Sequence, residues 1–165
     1  MRIIGGRFRG KELKPLDGET RPTTDRVREN IFNILGMRVV GARVLDLFSG
    51  SGAMGLEAIS RGAKEVIFND TSKAAVDVIK KNGGSEIYNL DYMGLLEKLR
   101  NQKFDIVFLD PPYESDFGVR AIEFLIQNKM AKLTVFESDR NHDFDGLNLR
   151  VKKYGKAVVH FLFAE

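Results

Sequence analysis

Apolar positions along this chain follow two different periods. After residue 43, short continuous apolar runs alternate with segments whose apolar residues recur every three or four positions. The runs Val44–Phe48, Glu65–Asn69, Glu86–Asn89, Phe104–Leu109 and Leu133–Glu137 predict strands. Between them, Ala53–Ser60, Ser72–Lys81, Gly94–Arg100 and Phe117–Asn128 predict helices, with Ser72 as a cap and Val76 and Ile79 on one buried face. Upstream, Pro22-Thr23-Thr24-Asp25 sets hydroxyls beside an acid in a first turn, which is a helix start. Val27, Ile31, Ile34 and Leu35 then share one face up to a stop at Gly36. At the far end, Leu147–Tyr154 and Ala157–Phe163 flank Gly155-Lys156, a hairpin signal. Repeated βα units closed by a hairpin predict an α/β fold: a mostly parallel sheet, helices on both faces, and an antiparallel C-terminal edge.

Residues 1–22 break this rhythm. They are rich in Gly and Arg with only short apolar pieces, and predict a small β-hairpin or extended arm ahead of one domain over 23–165. A chain of 165 residues suits a single domain. The net charge of +3 is unevenly placed: residues 1–28 carry eight basic and four acidic side chains, net +4, leaving a body of net −1. A basic arm suits a phosphate-bearing partner, and equally a solvated surface segment; charge alone leaves both open. There are no cysteines and only two histidines, His142 and His160, so no metal is expected. His142 is expected in a surface loop and His160 on an edge strand, neither with a catalytic role. No apolar stretch reaches the ~18 residues a membrane helix needs. Met1 leads into Arg2-Ile3-Ile4-Gly5-Gly6 with no secretory core, so the expected setting is cytoplasmic.

Candidate chemistry lies at the strand ends. Asp110-Pro111-Pro112-Tyr113 follows the run Phe104–Leu109. A carboxylate there points into the ligand crevice of an open α/β sheet. Two prolines remove two backbone donors and leave their carbonyls as acceptors, and the tyrosine adds a flat ring. A carboxylate, a carbonyl and a ring suit a planar base with an exocyclic amine; the alternative is an ordinary turn leaving a strand.

At the first strand-to-helix turn, Gly50, Gly52 and Gly55 fit G-x-G-x-x-G within Asp46-Leu47-Phe48-Ser49-Gly50-Ser51-Gly52. This pattern brings backbone close to a dinucleotide or any nucleoside cofactor. Asp70 closes the second strand, where a carboxylate can take ribose hydroxyls. Asp91 follows the third, placed to accept from an adenine amine, with Tyr92 beside it to pack on the ring. Asp46 ends the first strand, near where a cofactor amino group would lie. Each acid alone reads as a cap or turn residue; three at successive strand ends beside the glycine loop predict a nucleoside pocket.

On these motifs the chain resembles the class I S-adenosylmethionine-dependent methyltransferases, which end a fourth strand in Asn/Asp-Pro-Pro-Tyr/Phe. More closely it resembles the RsmD family, which methylates the exocyclic N2 of a guanine in bacterial small-subunit (16S) ribosomal RNA. Arg21-Pro22-Thr23-Thr24-Asp25-Arg26-Val27-Arg28-Glu29 is the discriminating segment, and the likeness covers nearly the whole chain. It departs at the short Asn82-Gly83-Gly84-Ser85, in residues 130–148, and at Asn69-Asp70, where glutamate is more usual.

The resemblance implies a seven-stranded, Rossmann-like sheet and S-adenosylmethionine as methyl donor without a metal. It places Asp110, Pro111, Pro112 and Tyr113 at the acceptor, and Asp46, Phe48, Ser49, Gly50, Gly52, Asp70, Asp91, Tyr92 and Thr23 at the cofactor. RNA phosphates would meet Arg7, Arg9, Lys11, Arg21 and Arg26. Arg26 and Arg28 each have two readings, RNA contact or a pair with an Asp or Glu beside the cofactor, with Arg26 leaning to RNA. The implied partner is 16S rRNA, naked or within a partly assembled 30S subunit, bound by a monomer. Competing readings are a DNA adenine-N6 methyltransferase, a protein glutamine methyltransferase, a non-catalytic ribosome-assembly factor and an NAD-dependent oxidoreductase. The last is supported by the glycine loop alone.

Overall fold

The computed structural model describes residues 1–19 and 23–164. Helix α1 (Asp25–Leu35) begins where the hydroxyl of Thr24 accepts from the Val27 amide, 3.2 Å away, and buries Val27, Ile31, Phe32 and Leu35. At Gly36 the backbone turns to φ 53, and a 3₁₀ turn, Gly36–Val39, follows. Strands and helices then alternate: β1 (Arg43–Asp46), α2 (Ala53–Ser60), β2 (Glu65–Asn69), α3 (Lys73–Lys81), β3 (Ile87–Tyr88), α4 (Tyr92–Lys98), β4 (Phe104–Leu109), α5 (Phe117–Gln127), β5 (Ala131–Ser138), β6 (Asn148–Tyr154) and β7 (Ala157–Phe163).

All seven strands join one sheet in the order β3-β2-β1-β4-β5-β7-β6. The first five run parallel; β7 pairs antiparallel with both β5 and β6. This is the class I methyltransferase fold. Alternate residues of the central strands feed two apolar layers. Val44, Phe68, Ile106 and Val135 pack with α1 and α2, while Leu45, Ile67, Val107 and Phe136 pack with α4 and α5. Strands apolar on both faces are what a sheet covered on both sides requires.

One helix start differs from the sequence expectation. Helix α4 begins at Tyr92, two residues before Gly94, because the Asp91 carboxylate accepts from the Gly94 amide at 3.2 Å and serves as its cap. The edge-strand reading of His160 needs correction. The last strand in sequence, β7, is inserted between β5 and β6, so His160 is fully buried inside the sheet. Its Nε2 accepts from the His142 amide at 2.9 Å, and its Nδ1 lies 3.2 Å from the Phe136 carbonyl. Burial holds its pKa below the usual histidine range.

Candidate active site

Parallel pairing brings the carboxyl ends of β1, β2, β4 and β5 to one edge of the sheet. The chain runs outward from β1 through β2 to β3, then returns to β4 on the other side of β1. That reversal opens a crevice above β1 and β4, the place where open α/β sheets bind ligands. A cleft of about 1040 Å³ lies there, lined by Asp46, Asp70, Asp110 and Glu137 among others. Pockets for one small molecule run about 300–1,000 Å³. This one is large enough for a nucleoside cofactor and a base together.

The glycine loop is fixed by reciprocal bonds between β1 and β2. The Ser49 amide donates to the Asn69 carbonyl (2.8 Å), and the Asn69 amide donates back to Ser49 Oγ (3.0 Å). The Ser49 hydroxyl donates to the Asp46 carbonyl at 2.7 Å. Gly50 and Gly52 sit at φ 55 and 87, where a side chain would be strained, and Gly52 is the N-cap of α2. A Cβ on Gly55 would run into the Phe68 ring, so this glycine sets the close approach of α2 to β2.

The Gly50 amide donates to Asp70 Oδ2 at 2.9 Å and the Ser72 amide to Asp70 Oδ1 at 2.9 Å, which aims that carboxylate along the loop. Asn69 clamps the strand exits: its amide nitrogen donates to the carbonyls of Leu47 and Leu90, and its oxygen accepts from the Leu90 amide.

Asp46 lies deepest. Its Oδ2 accepts from the Gly55 amide at 3.1 Å. Burial nonetheless pushes its pKa up to about 7, helped by the charges of Asp110 and Asp70 and opposed by the Gly55 bond. A buried acid whose pKa is shifted by desolvation in a cleft is a candidate functional group.

Asp110 leaves β4 half-exposed on the cleft wall. Pro111 is buried and Tyr113 half-buried behind it. The Pro112 carbonyl, one of the two expected acceptors, accepts from the Ser115 amide (3.1 Å) and hydroxyl (2.6 Å). Thr23 reaches the same wall from the start of α1. Its hydroxyl donates toward Glu137 Oε2 (3.2 Å) and Asp110 Oδ2 (3.5 Å), while Thr24 does the capping.

Phe48, Tyr92 and Phe117 form an aromatic row on the opposite side, with ring centroids 5.4 and 4.8 Å apart. Tyr92 is largely buried in that row, and Asp91 beside it is exposed. Among the described residues no group of three or more His, Cys, Asp and Glu side chains is arranged to hold a metal ion.

The N-terminal segment is docked rather than trailing. Arg2 and Glu12 form an antiparallel bridge, and Ile3 and Leu13 are buried in the core. Arg7, Arg9 and Arg26 are exposed. Lys11 is also exposed, but its Nζ donates to the Asn82 carbonyl at 3.0 Å. Arg21 lies outside the described residues. Arg28 is fully buried and pairs with Glu57 (3.2 Å) and Asp25 (3.0 Å), so it fits an ion-pair role rather than RNA contact, but neither acid lines the cleft.

Sequence reasoning missed Glu137, Glu57, Asn82 and the structural role of Asn69. Glu137 was within reach, since it closes an apolar strand run as Asp110 does. The others act on partners distant in the chain, and no local pattern marks them.

The family model described as Conserved hypothetical protein 95 matches residues 1–163. The chain is 39% identical over 142 residues to "Ribosomal RNA small subunit methyltransferase D" of Haemophilus influenzae, spanning 80% of this chain and 74% of that one. The solved structure of Escherichia coli yhhF superposes with a TM-score of 0.88 at 35% identity, over 100% of this chain and 98% of that one. At 15% identity and a TM-score of 0.63, the fold also matches SMU.776, solved as a complex with SAH, over 87% of this chain and 50% of that one.

Proposed function

The chain belongs to the Conserved hypothetical protein 95 family of RsmD-like methyltransferases, and we propose that it transfers a methyl group from S-adenosylmethionine to the exocyclic N2 of a guanine in small-subunit ribosomal RNA. One observation carries this reading: Asp110, Pro112 and Tyr113 line the same cleft as Ser49, Gly50 and Asp70. A cofactor cradle and an amine-binding motif therefore face each other across one crevice.

The residues fit the cofactor. A ribose needs an acceptor beside a loop without side chains, and Asp70 sits 2.9 Å from the Gly50 amide. A positively charged amino group needs a buried acid, and Asp46 supplies one. An adenine ring needs an apolar slot, and the Phe48–Tyr92 row borders the cleft. When bound, S-adenosylmethionine supplies an electrophilic methyl on a sulfonium, which needs no metal.

The chain's own part is positioning. Asp110 and the Pro111 carbonyl accept the two N–H bonds of the amine and turn its lone pair toward the methyl. Tyr113 stacks on a base turned out of its helix or loop, an interaction worth about 1–3 kcal/mol in single-strand binders. Most of the acceleration then comes from orientation and local electrostatics. Residues 1–22 act as the RNA-holding arm of a domain over 23–165, with Arg7, Arg9 and Arg26 toward phosphates.

The test is methyl transfer from labelled S-adenosylmethionine to unmodified small-subunit rRNA, naked and protein-bound, followed by nucleoside analysis. Label is expected in N2-methylguanosine. It should fall about 10²–10³-fold in Asp110→Ala, as for loss of a preorganised electrostatic group, with S-adenosylhomocysteine binding retained. Label in N6-methyladenine of duplex DNA would replace this reading with DNA methylation. Full biological activity of Asp110→Ala would replace it with a non-catalytic assembly role.

A further inference from the structure

One edge of the sheet carries positive charge that the methyl-transfer chemistry does not use. Residues 148–157 hold Arg150, Lys152, Lys153 and Lys156 and no acid. They form β6 and the turn into β7, and β6 is the outermost strand on the acceptor side of the sheet. Its one neighbour, β7, contains no acid, lysine or arginine. Arg150, Lys153 and Lys156 are exposed and Lys152 is half-buried. Among the described residues, no acidic side chain pairs with any of the four.

Strand register places this charge beside the cleft. Leu109 pairs with Phe136, Phe136 with His160, and His160 with Val151. Glu137, Val159 and Lys152 form the next row, and Asp110 leaves β4 at that level. Asp110 and Lys152 are thus three strand spacings apart, about 14 Å at ~4.8 Å each. A stacked nucleic-acid strand covers that distance in about four nucleotides, at ~3.4 Å each. Lys153 is level with Ser138, the last residue of β5, and Lys156 sits in the turn beyond it.

The surroundings on one face are basic as well. Tyr154 packs in the layer that α1 covers, and strand alternation puts Arg150 and Lys152 on that same face. Exposed Arg26 lies on α1, one turn after Thr23, whose hydroxyl reaches Glu137. The acid-rich loop 139–147 packs against the other layer through Phe144 and Leu147. Lysines on an edge strand also block pairing with a second strand. That role is indifferent to which end of the strand they occupy. Here three of the four cations cluster at the end beside the acceptor wall.

We propose that this edge is a second RNA contact: Lys152, Lys153 and Lys156 bind backbone phosphates of nucleotides that flank the target base on the acceptor side of the cleft. The N-terminal arm and the C-terminal hairpin then hold one RNA at two places. The inference rests on the RNA reading of the acceptor and is independent of which base is methylated.

The experiment uses a labelled fragment of small-subunit rRNA that accepts methyl in the assay above. Its affinity is measured by fluorescence anisotropy over a range of salt. The unaltered protein is compared with two triple variants: Lys152→Gln, Lys153→Gln, Lys156→Gln, and the same three positions changed to Glu. The Glu set keeps a charged edge while reversing its sign, so it separates RNA binding from protection of the edge. Sedimentation reports self-association, and S-adenosylhomocysteine binding by calorimetry reports an intact fold.

Loss of two or three phosphate contacts should lower the slope of log affinity against log salt by about 1.4–2.1 in the Gln set. That corresponds to roughly 25-fold or more in affinity near 0.1 M salt, fading toward 1 M. The Glu set should bind still more weakly while remaining as monodisperse as the unaltered protein. In methyl transfer, KM for RNA should rise by the same factor, with kcat and KM for S-adenosylmethionine unchanged. An unchanged slope and affinity in the Gln set overturns the proposal, as does full RNA affinity in the Glu set. Self-association of the Gln set with RNA binding intact overturns it too, and leaves edge protection as the role of these lysines. Absence of methyl transfer to any RNA by the unaltered protein is a separate result: it overturns the RNA reading, and this contact falls with it.

Discussion

Asp46 carries the most informative single titration in the molecule. It is nearly fully buried with one amide bond to its carboxylate, and its pKa is about 7 instead of 3.8. A folded-state pKa raised above the unfolded value means that the folded state holds its proton more tightly. The associated stability is therefore complete below about pH 4 and is lost as pH rises through about 7. The ligand-free protein should show a melting temperature that falls between pH 5 and pH 8. An Asp46→Asn variant, which keeps an acceptor for the Gly55 amide, should be flatter over that range.

A bound cofactor that sets an ammonium beside Asp46 would favour the ionised carboxylate. Affinity for S-adenosylmethionine should then rise roughly tenfold per pH unit below about 7 and level off above it. Calorimetric titration in buffers of different ionisation enthalpy would register proton release near pH 6. A pH-independent affinity would remove Asp46 from the amino-group position.

Among whole elements, the joint between the N-terminal hairpin, α1 and α2 depends on one helix residue. Glu57 is fully buried on α2. Its two oxygens accept from the amides of Ile4 (2.9 Å) and Gly5 (3.0 Å) and from Arg28 Nε (3.2 Å) and Arg61 Nε (2.7 Å). Arg28 is also fully buried, and its guanidinium bonds the Arg2 carbonyl and Asp25. Removing one partner of such a pair leaves the other charge buried, at a cost of about 3–5 kcal/mol. Glu57→Gln is expected near the lower figure, because Asp25 still faces Arg28. Urea denaturation would measure it, and a loss under about 1 kcal/mol would show that the joint is held by packing alone.

This joint also shows what the sequence could and could not carry. Periodicity places α2 at Ala53–Ser60 and β4 at Phe104–Leu109, because each element must show the core a run or a stripe of apolar residues. The strand-end rule finds Asp46, Asp70 and Asp110 for the same reason: direction along a parallel strand fixes which end faces the crevice. Nothing local shows that an acid within Ala53–Ser60 turns inward, since its partners lie 29 and 52 residues away. His160 was hidden similarly. The last strand in sequence looks like an edge until topology inserts it between β5 and β6.

For the molecule as a whole, charge and shape act together. Of the basic residues in 1–28, Arg2, Arg7, Arg9, Lys11 and Lys14 lie on the N-terminal hairpin segment, whose parts reach different places. Met1, Leu16 and Glu19 line the cleft, whereas the turn at Arg7 and Phe8 bonds Ser60, at the end of α2 away from the glycine loop. The eight residues of α2 span about 12 Å at 1.5 Å per residue. Arg7 thus lies about a helix length from the glycine loop, and we expect it and Arg9 to meet phosphates of neighbouring nucleotides rather than the target base. Phe8 is 43% exposed under the Arg7 guanidinium, 4.8 Å from the ring centroid. That pair can offer a stacking face as well as a charge.

Phosphate contacts release counterions, and each is worth a slope of about −0.7 in log affinity against log salt for single strands. The double variant Arg7→Ala, Arg9→Ala should reduce the slope for an rRNA fragment by about 1.4 and weaken binding at low salt. Fluorescence anisotropy across about 50–200 mM salt would read the slope. An unchanged slope with unchanged affinity would take the hairpin turn off the RNA and leave binding to the rim of the cleft.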